Sequence, residues 1–362
     1  MMIVHVFPKS QFSEGYINFI NNNFNQAEHV FVLYTNKKFE MPQELYNFHN
    51  VIDYDTKNVF WLVTLLSRAE KIFLHNLSVN IYELFMLYTL RWLTHKVVWV
   101  IWGGDLYCYR DPKTSLMDKL VEKIRRGVIK QIPMIATLAD GDYELAKQWY
   151  GVRAKHVRVN YCDEKEIRIF QALYHKTKEH MGETYILVGN SATKSNCHID
   201  AFEKIAKYKQ ESIRVYVPLS YGDMEYAIEV SQKGKEIFGD KFYPLMDFMT
   251  QEDYFTLLNQ MDVAIFNNDR QQAIGNITAL LYLGKKLYLR NHTTMWDEWV
   301  NEEKYAIHCI GDIDKESYSE FKSINKNEIS INYELTKEFF NVTSRVKEWQ
   351  FVFNMRGWKD GY

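Results

Sequence analysis

Tyr185-Ile186-Leu187-Val188-Gly189-Asn190-Ser191-Ala192-Thr193 is the stretch on which the fold class turns. Its apolar run has the length and the abrupt polar ending of a buried strand. Gly189 permits a sharp turn and lets backbone approach a ligand. Ser191 and Thr193 then supply donors for phosphate or sugar oxygens. A strand running into such a turn at its carboxyl end is how open α/β sheets present their ligand edge. An ordinary strand-to-helix turn is spelled the same way, so spacing alone leaves both readings open. The stretch is neither a Walker A loop nor G-x-G-x-x-G, which weakens P-loop and dinucleotide readings.

The same alternation continues in both directions. Upstream, strands are expected at Ile3–Phe7, Val30–Tyr34, Lys71–Leu74, Lys96–Ile101 and Met134–Ala136, with helices between them. Among those helices are Lys57 to Ser67, Asn80 to Leu93, and a segment through Trp149 capped by Asp140. Downstream, strands are expected at Ile213–Val217, Phe242–Pro244, Val263–Phe266 and Lys286–Arg290. Helices are expected at His198 to Tyr208, Met224 to Phe238, Gln251 to Gln260, from about Ile274, and near Ser317–Ile324 and Tyr333–Glu348. Strands alternating with helices predict parallel sheets covered on both faces. The polar segment from Asn160 to Glu183 joins two halves of similar size with a cleft between them. The expected domains are residues 1–165, 166–330 and a helical segment 331–362 that crosses back to the first domain.

The chain has 362 residues, more than one core of about 250–300 usually holds. Lys+Arg is 44 against 46 Asp+Glu, a balance that argues against a nucleic-acid binder. Aromatics make up 15%, an excess that fits large cores, sugar stacking and membrane belts alike. Four scattered cysteines form no metal or redox pair and read as thiols of a cytosolic protein. The first residues lack the basic and apolar regions of a signal peptide, and no apolar stretch is long enough to span a bilayer.

Asp269-Arg270-Gln271-Gln272-Ala273-Ile274-Gly275-Asn276 lies between a strand and a helix. A helix N-terminus is an anion site, and Arg270 adds a bidentate phosphate donor. A capped polar surface loop is the bland alternative. Val217-Pro218-Leu219-Ser220-Tyr221 is a third strand-end loop of the same half, where Pro218 ends the ladder and Tyr221 offers a ring and a hydroxyl. In the first half, Trp102-Gly103-Gly104-Asp105-Leu106-Tyr107 puts a carboxylate after a strand. Asp105 is either a general base, an anchor for acceptor hydroxyls, or a helix cap. His75 ends a strand and is the better cleft histidine, whereas His5 belongs in the core; His75 and Glu14 are the fallback bases. No metal is expected. Asp53 and Asp55 are the first place to look for one, ahead of Asp140/Asp142 and Asp312/Asp314. Lys119, Lys123, Arg125, Arg126 and Lys130 stud an amphipathic segment that is either a solvated helix face or an anionic-membrane patch.

Taken together, Gly189-Asn190-Ser191, Asn196 and His198, Val217 to Tyr221, Arg270-Gln271-Gln272-Ala273-Ile274-Gly275, and Trp102 to Tyr107 resemble the 4-acetamido-4,6-dideoxygalactose (Fuc4NAc) transferase family of enterobacterial common antigen assembly. The resemblance covers roughly Trp99 to Trp296, and the Arg-Gln-Gln-x-x-Gly run is its most specific piece. It implies an α/β GT-B glycosyltransferase, with two Rossmann-like domains whose parallel sheets face a central cleft. The donor is then a dTDP-sugar bound by the C-terminal domain, and the acceptor is a lipid-linked saccharide. The enzyme would sit in the cytoplasm, peripheral at the inner membrane face, with no cofactor beyond the nucleotide-sugar substrate and no nucleic-acid partner. By position, Gly189, Asn190 and Ser191 line the diphosphate pocket, flanked by Asn196 and His198. Arg270, Gln272 and the helix end at Gly275 neutralise the leaving diphosphate. Pro218, Tyr221, Gln271 and Asn276 complete the donor set, and His75, Gly103, Gly104 and Tyr107 the acceptor set. Two other readings remain: a nucleotide-sugar epimerase on the same plan, and a non-catalytic scaffold of a polysaccharide complex.

Overall fold

The computed structural model describes residues 1–34, 41–77, 80–176 and 182–355. Among these, the chain divides into two compact units, Met1–Lys165 with Val342–Tyr362, and Glu166–Asn341. The first holds a seven-stranded sheet of β1 (Ile3–Pro8), β2 (His29–Tyr34), β3 (Val51–Asp53), β4 (Lys71–His75), β5 (Val97–Val100), β6 (Met134–Thr137) and β7 (Lys155–Arg158). Its order is β3-β2-β1-β4-β5-β6-β7. The second holds β8 (Thr184–Val188), β9 (Ile213–Pro218), β10 (Phe242–Leu245), β11 (Val263–Phe266), β12 (Lys286–Leu289) and β13 (His308–Cys309), in the order β10-β9-β8-β11-β12-β13. Every pairing is parallel.

The apolar runs explain the sheets. All residues of β1, β5 and β11 are buried, as expected where helices cover both faces. Residues 186, 188, 263 and 265 alternate onto one side and pack with Phe202, Val215 and Tyr288. Helix starts follow their caps: the Asp223 carboxylate accepts from the amides of Glu225 and Tyr226, and Thr250 from Asp253. Gly239, at φ 58°, ends the Met224–Phe238 helix.

Several expectations need correction. Ala139, not Asp140, is the N-cap of the Asp140–Tyr150 helix; Asp140 opens its first turn, where a carboxylate still favours the dipole. The polar joining segment contains a helix, Glu164–Tyr174, because Ile167, Phe170 and Leu173 recur on one buried face. Residues 177–181 of that segment lie outside the described residues. The expected helix Tyr333–Glu348 is two helices, Lys326–Thr336 and Val342–Asn354. Between them Phe340 packs on Phe170 and Tyr282, in the second unit. Beyond the break Trp349 packs on Tyr16 and Phe353 on His29, in the first. The second unit therefore runs to Asn341 rather than 330. Lys71 donates to the carbonyls of Val352, Phe353 and Met355, satisfying the end of the returning helix.

Candidate functional site

In the second unit, three strand-end loops close into one polar network. Gly189 turns the chain after β8 at φ 70°. A Cβ there would stand 2.5 Å from His198 Nε2 and 2.8 Å from Asn196 Oδ1, so only glycine lets the turn settle on these side chains. Asn196 is buried beneath it, accepting from the Asn190 amide at 3.0 Å and donating to Thr193 Oγ1 at 2.7 Å. His198 opens the His198–Ile205 helix and shares Nδ1 with the Tyr226 hydroxyl at 3.3 Å. Burial lowers its pKa to about 4, so its ring is neutral near pH 7. Among the described residues its Nε2 has no partner. Asn196 and His198 thus shape the turn from below.

Asn190 is the junction. Its Nδ2 donates to the Tyr221 hydroxyl at 3.0 Å, and its Oδ1 accepts from Gln272 Nε2 at 2.9 Å. Gln272 Oε1 accepts from Ser195 Oγ at 2.6 Å, and that hydroxyl accepts from Arg270 Nε at 3.2 Å. Backbone bonds link the loops further: Ala192 N to Tyr221 O at 2.8 Å, and Asp269 N to Ser195 O at 2.9 Å. The Ile274–Tyr282 helix begins here, after Ala273 at φ 63°. The amides of its first turn have no intrahelical acceptor. A Cβ on Gly275 would meet nothing within 4 Å, and Asn276 donates to the Tyr254 hydroxyl at 2.9 Å. Gln271 and Ser191 are buried at the same edge. Pro218 needs correction: it is the buried last residue of β9, still in register with Leu245, and it shapes the edge from within. A guanidinium, carboxamides, hydroxyls and a helix N-terminus on one edge are the complement of a diphosphate ester.

The first unit overturns more. Asp105 is 1% exposed, and its carboxylate already accepts from Trp99 Nε1 at 2.6 Å, Leu77 N at 2.9 Å and Trp102 N at 3.0 Å. With three donors on a sealed carboxylate it clamps the loop and cannot receive a substrate proton. Tyr107 is buried in the core, edge-on to Trp149, and does not face an acceptor. Gly103, at φ 88°, is required for the turn, whereas the Cβ position of Gly104 is open. His75 is fully buried and belongs to a chain of rings. His75 Nδ1 meets the Tyr161 hydroxyl at 2.5 Å, its Nε2 meets His5 Nδ1 at 3.2 Å, and His5 Nε2 meets His29 Nδ1 at 3.0 Å. Burial pushes all three histidine pKa values down, that of His29 to about 4. Glu14, by contrast, is an exposed carboxylate in the first turn of the Gln11–Asn23 helix. Partial burial and the nearby Asp163 raise its pKa.

The basic segment is the helix Leu116–Ile129, and its charges divide. Lys119, Lys123 and Lys130 are exposed. Arg125 is buried, bonded to the Tyr150 hydroxyl and the Asp105 carbonyl. Arg126 pairs with Glu122 at 2.8 Å and lies over Tyr109. Arg125 is thereby corrected from surface patch to structural post, whereas the Arg126 side chain stays 41% exposed while it pairs with Glu122. Asp53 and Asp55 both hold Lys9, at 2.9 and 2.7 Å. Asp312 accepts from the Cys309 amide and Asp314 pairs with Lys204.

The profile of the 4-alpha-L-fucosyltransferases, glycosyl transferase group 56, matches residues 12–353. The chain belongs to glycosyl transferase group 56. It is a glycosyltransferase, and its fold is GT-B. A glycosyltransferase from Rickettsia africae superposes with TM-score 0.66 at 11% identity, covering 97% of each chain. Anabaena HepE, solved with UDP and glucose, gives 0.65 at 11% identity over 98% of this chain and 100% of its own. A Burkholderia multivorans trehalose 6-phosphate synthase gives 0.60 at 8% identity over 97% and 95%.

In this group 56 enzyme sequence reasoning did not single out Ser195 of the donor network, the buried Asn268 after β11, or Tyr161 of the first unit's ring chain. Ser195 joins Arg270 to Gln272, and nothing in a lone serine marks a bridge between loops 75 residues apart. Asn268 is 1% exposed, and among the described residues both polar atoms of its carboxamide lack partners. A pair of asparagines directly after an apolar strand was the available signal. Tyr161 escaped notice because β7, which precedes it, is short and polar.

Proposed function

We propose that this glycosyltransferase moves a deoxy-acetamido hexose, Fuc4NAc or a close relative, from a dTDP-linked donor to a lipid-linked saccharide. The reaction serves surface-glycan synthesis, with the enzyme peripheral at the cytoplasmic face of the membrane. The observation that carries the reading is the Asn190–Gln272–Ser195–Arg270 network at the carboxyl edge of the second sheet. Nucleotide sugars or their parts occupy similar folds: HepE was solved with UDP and glucose, and an Escherichia coli relative with UDP-2-fluoro glucose. The acceptor hydroxyl bonds to the anomeric carbon as the bond to diphosphate breaks. Charge grows on the departing diphosphate and is met by Arg270 and the amides at Ile274–Asn276, already in position. Glu14 takes the role first considered for Asp105, accepting the acceptor's proton, since a carboxyl with a raised pKa is the better base.

A thermal-shift panel of dTDP, UDP, GDP, CDP and ADP tests the donor. A ligand at about 100 times its Kd adds roughly 2.7 kcal/mol of stability. A shift selective for dTDP is expected, followed by transfer from a dTDP-sugar to a polyprenyl-diphosphate-linked acceptor. A shift selective for another base overturns the donor assignment, and no shift from any of them overturns the reading.

A further inference from the structure

We infer that Tyr221 and Phe248, in the second unit, hold the base of the donor nucleotide, and that the methionines beside them favour a 5-methyl pyrimidine. β9 and β10 pair in register up to Pro218 and Leu245, and Leu219 N donates to Leu245 O at 2.9 Å. The loops after the two strands therefore emerge side by side at the carboxyl edge of the sheet, where such sheets bind ligands. Each loop carries an exposed aromatic side chain. Tyr221 is 40% exposed and Phe248 68%, and their rings are only 19° from parallel with centres 6.4 Å apart. Met224 and Met249, next to them in the two loops, are exposed as well. Single apolar residues on a surface need no explanation, but four on adjoining loops at a ligand edge mark a binding site.

One hydrogen bond ties this patch to the donor network. The Tyr221 hydroxyl accepts from Asn190 Nδ2, and Asn190 Oδ1 accepts from Gln272. The Tyr221 ring thus lies one side chain away from the groups that meet the diphosphate, much as a base lies one ribose away from its phosphates. Charge sets which end of the nucleotide goes where. Arg270 and the N-terminus of the Ile274–Tyr282 helix draw the phosphates. Residues 219–224 and 246–250 contain no Lys, Arg or His, but they do contain Asp223 and Asp247. Asp223 is engaged as a helix cap, and Asp247 is exposed. A carboxylate beside the rings disfavours a phosphate there and leaves a neutral planar heterocycle unopposed. Stacking on an aromatic side chain accepts any base, because every base has a π-face. Thymine differs from uracil by one methyl group, and flexible, polarizable thioethers are suited to cover it. The choice of thymine rests on the proposed dTDP donor, whereas the ring site requires only a nucleotide.

The test is calorimetric titration of the full chain with dTDP, dUDP and inorganic pyrophosphate. Phe248→Ala should weaken dTDP about 30-fold, the scale of one base stacked on one aromatic side chain, and leave pyrophosphate unchanged. Phe248→Trp should restore the affinity for dTDP. The wild type should prefer dTDP to dUDP about 4-fold, the worth of one buried methyl group. Met224→Ser combined with Met249→Ser should remove that preference. All of these side chains are exposed, so the variants should keep the wild-type melting temperature. Equal affinity of wild type and Phe248→Ala for dTDP overturns the site. So does a parallel loss of pyrophosphate, which would mean that Phe248 supports the network rather than a base. A preference for dTDP over other nucleoside diphosphates that survives Phe248→Ala keeps the proposed function and refutes this site. A protein that binds UDP but not dTDP, and loses UDP with Phe248→Ala, refutes the dTDP donor and the methyl preference and leaves the ring site standing.

Discussion

Arg270 and Asp105 show how the same kind of sequence signal separates once partners are known. Each is a charged residue in a strand-end loop with glycine nearby. Arg270 keeps guanidinium nitrogens at the edge of a polar network, anchored through Ser195. Removing it should cost about 2–4 kcal/mol in the transition state, the scale for one positioned donor, and so lower kcat roughly 30- to 900-fold. Steady-state rates for Arg270→Ala decide this, and a loss confined to KM would reassign the residue to ground-state binding. Asp105 faces three N–H donors inside the core. Asp105→Asn turns an amide nitrogen toward at least one of them and leaves it unpaired. The expected cost is about 2–4 kcal/mol of stability, read as a lowered urea midpoint, with kcat per folded molecule retained. Glu14→Gln should do the reverse, leaving stability near wild type while lowering kcat and removing the acidic limb of its pH profile.

The elements most legible in the sequence are those whose residues carry a local reason for their shape. Met224–Phe238 runs from its Asp223 cap to its terminating glycine, and Val263–Phe266 is wholly buried. The strands missed, β3, β7 and β13, have two to four residues each, and most of those residues are only partly buried. Such strands exist because a neighbour offers a ladder, which a local reading cannot see. The donor network was half legible for the same reason: the loops announce themselves by glycine and polar residues, but their contact depends on sheet order. The ring chain was not legible at all, since β1, β2 and β4 contribute one histidine apiece. It sets a pH dependence. His29, His5 and His75 are held neutral in the folded state, with His29 near 4, while an unfolded histidine titrates near 6.5. Lowered folded pKa values mean the unfolded chain binds more protons below about 6.5, so stability is present above that pH and lost as pH falls toward 4. His29 alone accounts for about 3 kcal/mol over that span. Urea midpoints between pH 8 and 5 should fall on the acid side, and His29→Asn should flatten the slope; a flat profile for the parent protein would show that the chain charges without cost.

At the scale of the whole molecule, the chain leaves the first unit at Lys165 and returns to it at Val342. The first unit is therefore finished only after the second has been made. Trp349 is the anchor of that return: fully buried, 4.9 Å from the Tyr16 ring, with Nε1 donating to the Asn160 carbonyl at 2.9 Å. Tyr16 also borders the ring chain, so the returning helix closes the same core that keeps the histidines neutral. Trp349→Ala opens a cavity of indole size and strands the Asn160 carbonyl, a change that costs about 3–5 kcal/mol in other cores. For a unit of this size that is a drop of about 10 °C in melting temperature. The donor network lies within Glu166–Asn341 and shares no residue with this core. The thermal shift caused by nucleotide diphosphate should therefore survive in Trp349→Ala, superimposed on a lower baseline. If the substitution instead abolished nucleotide binding at a temperature where the protein is still folded, the two units would be energetically coupled through the returning segment, and donor affinity would report on the state of the first unit's core.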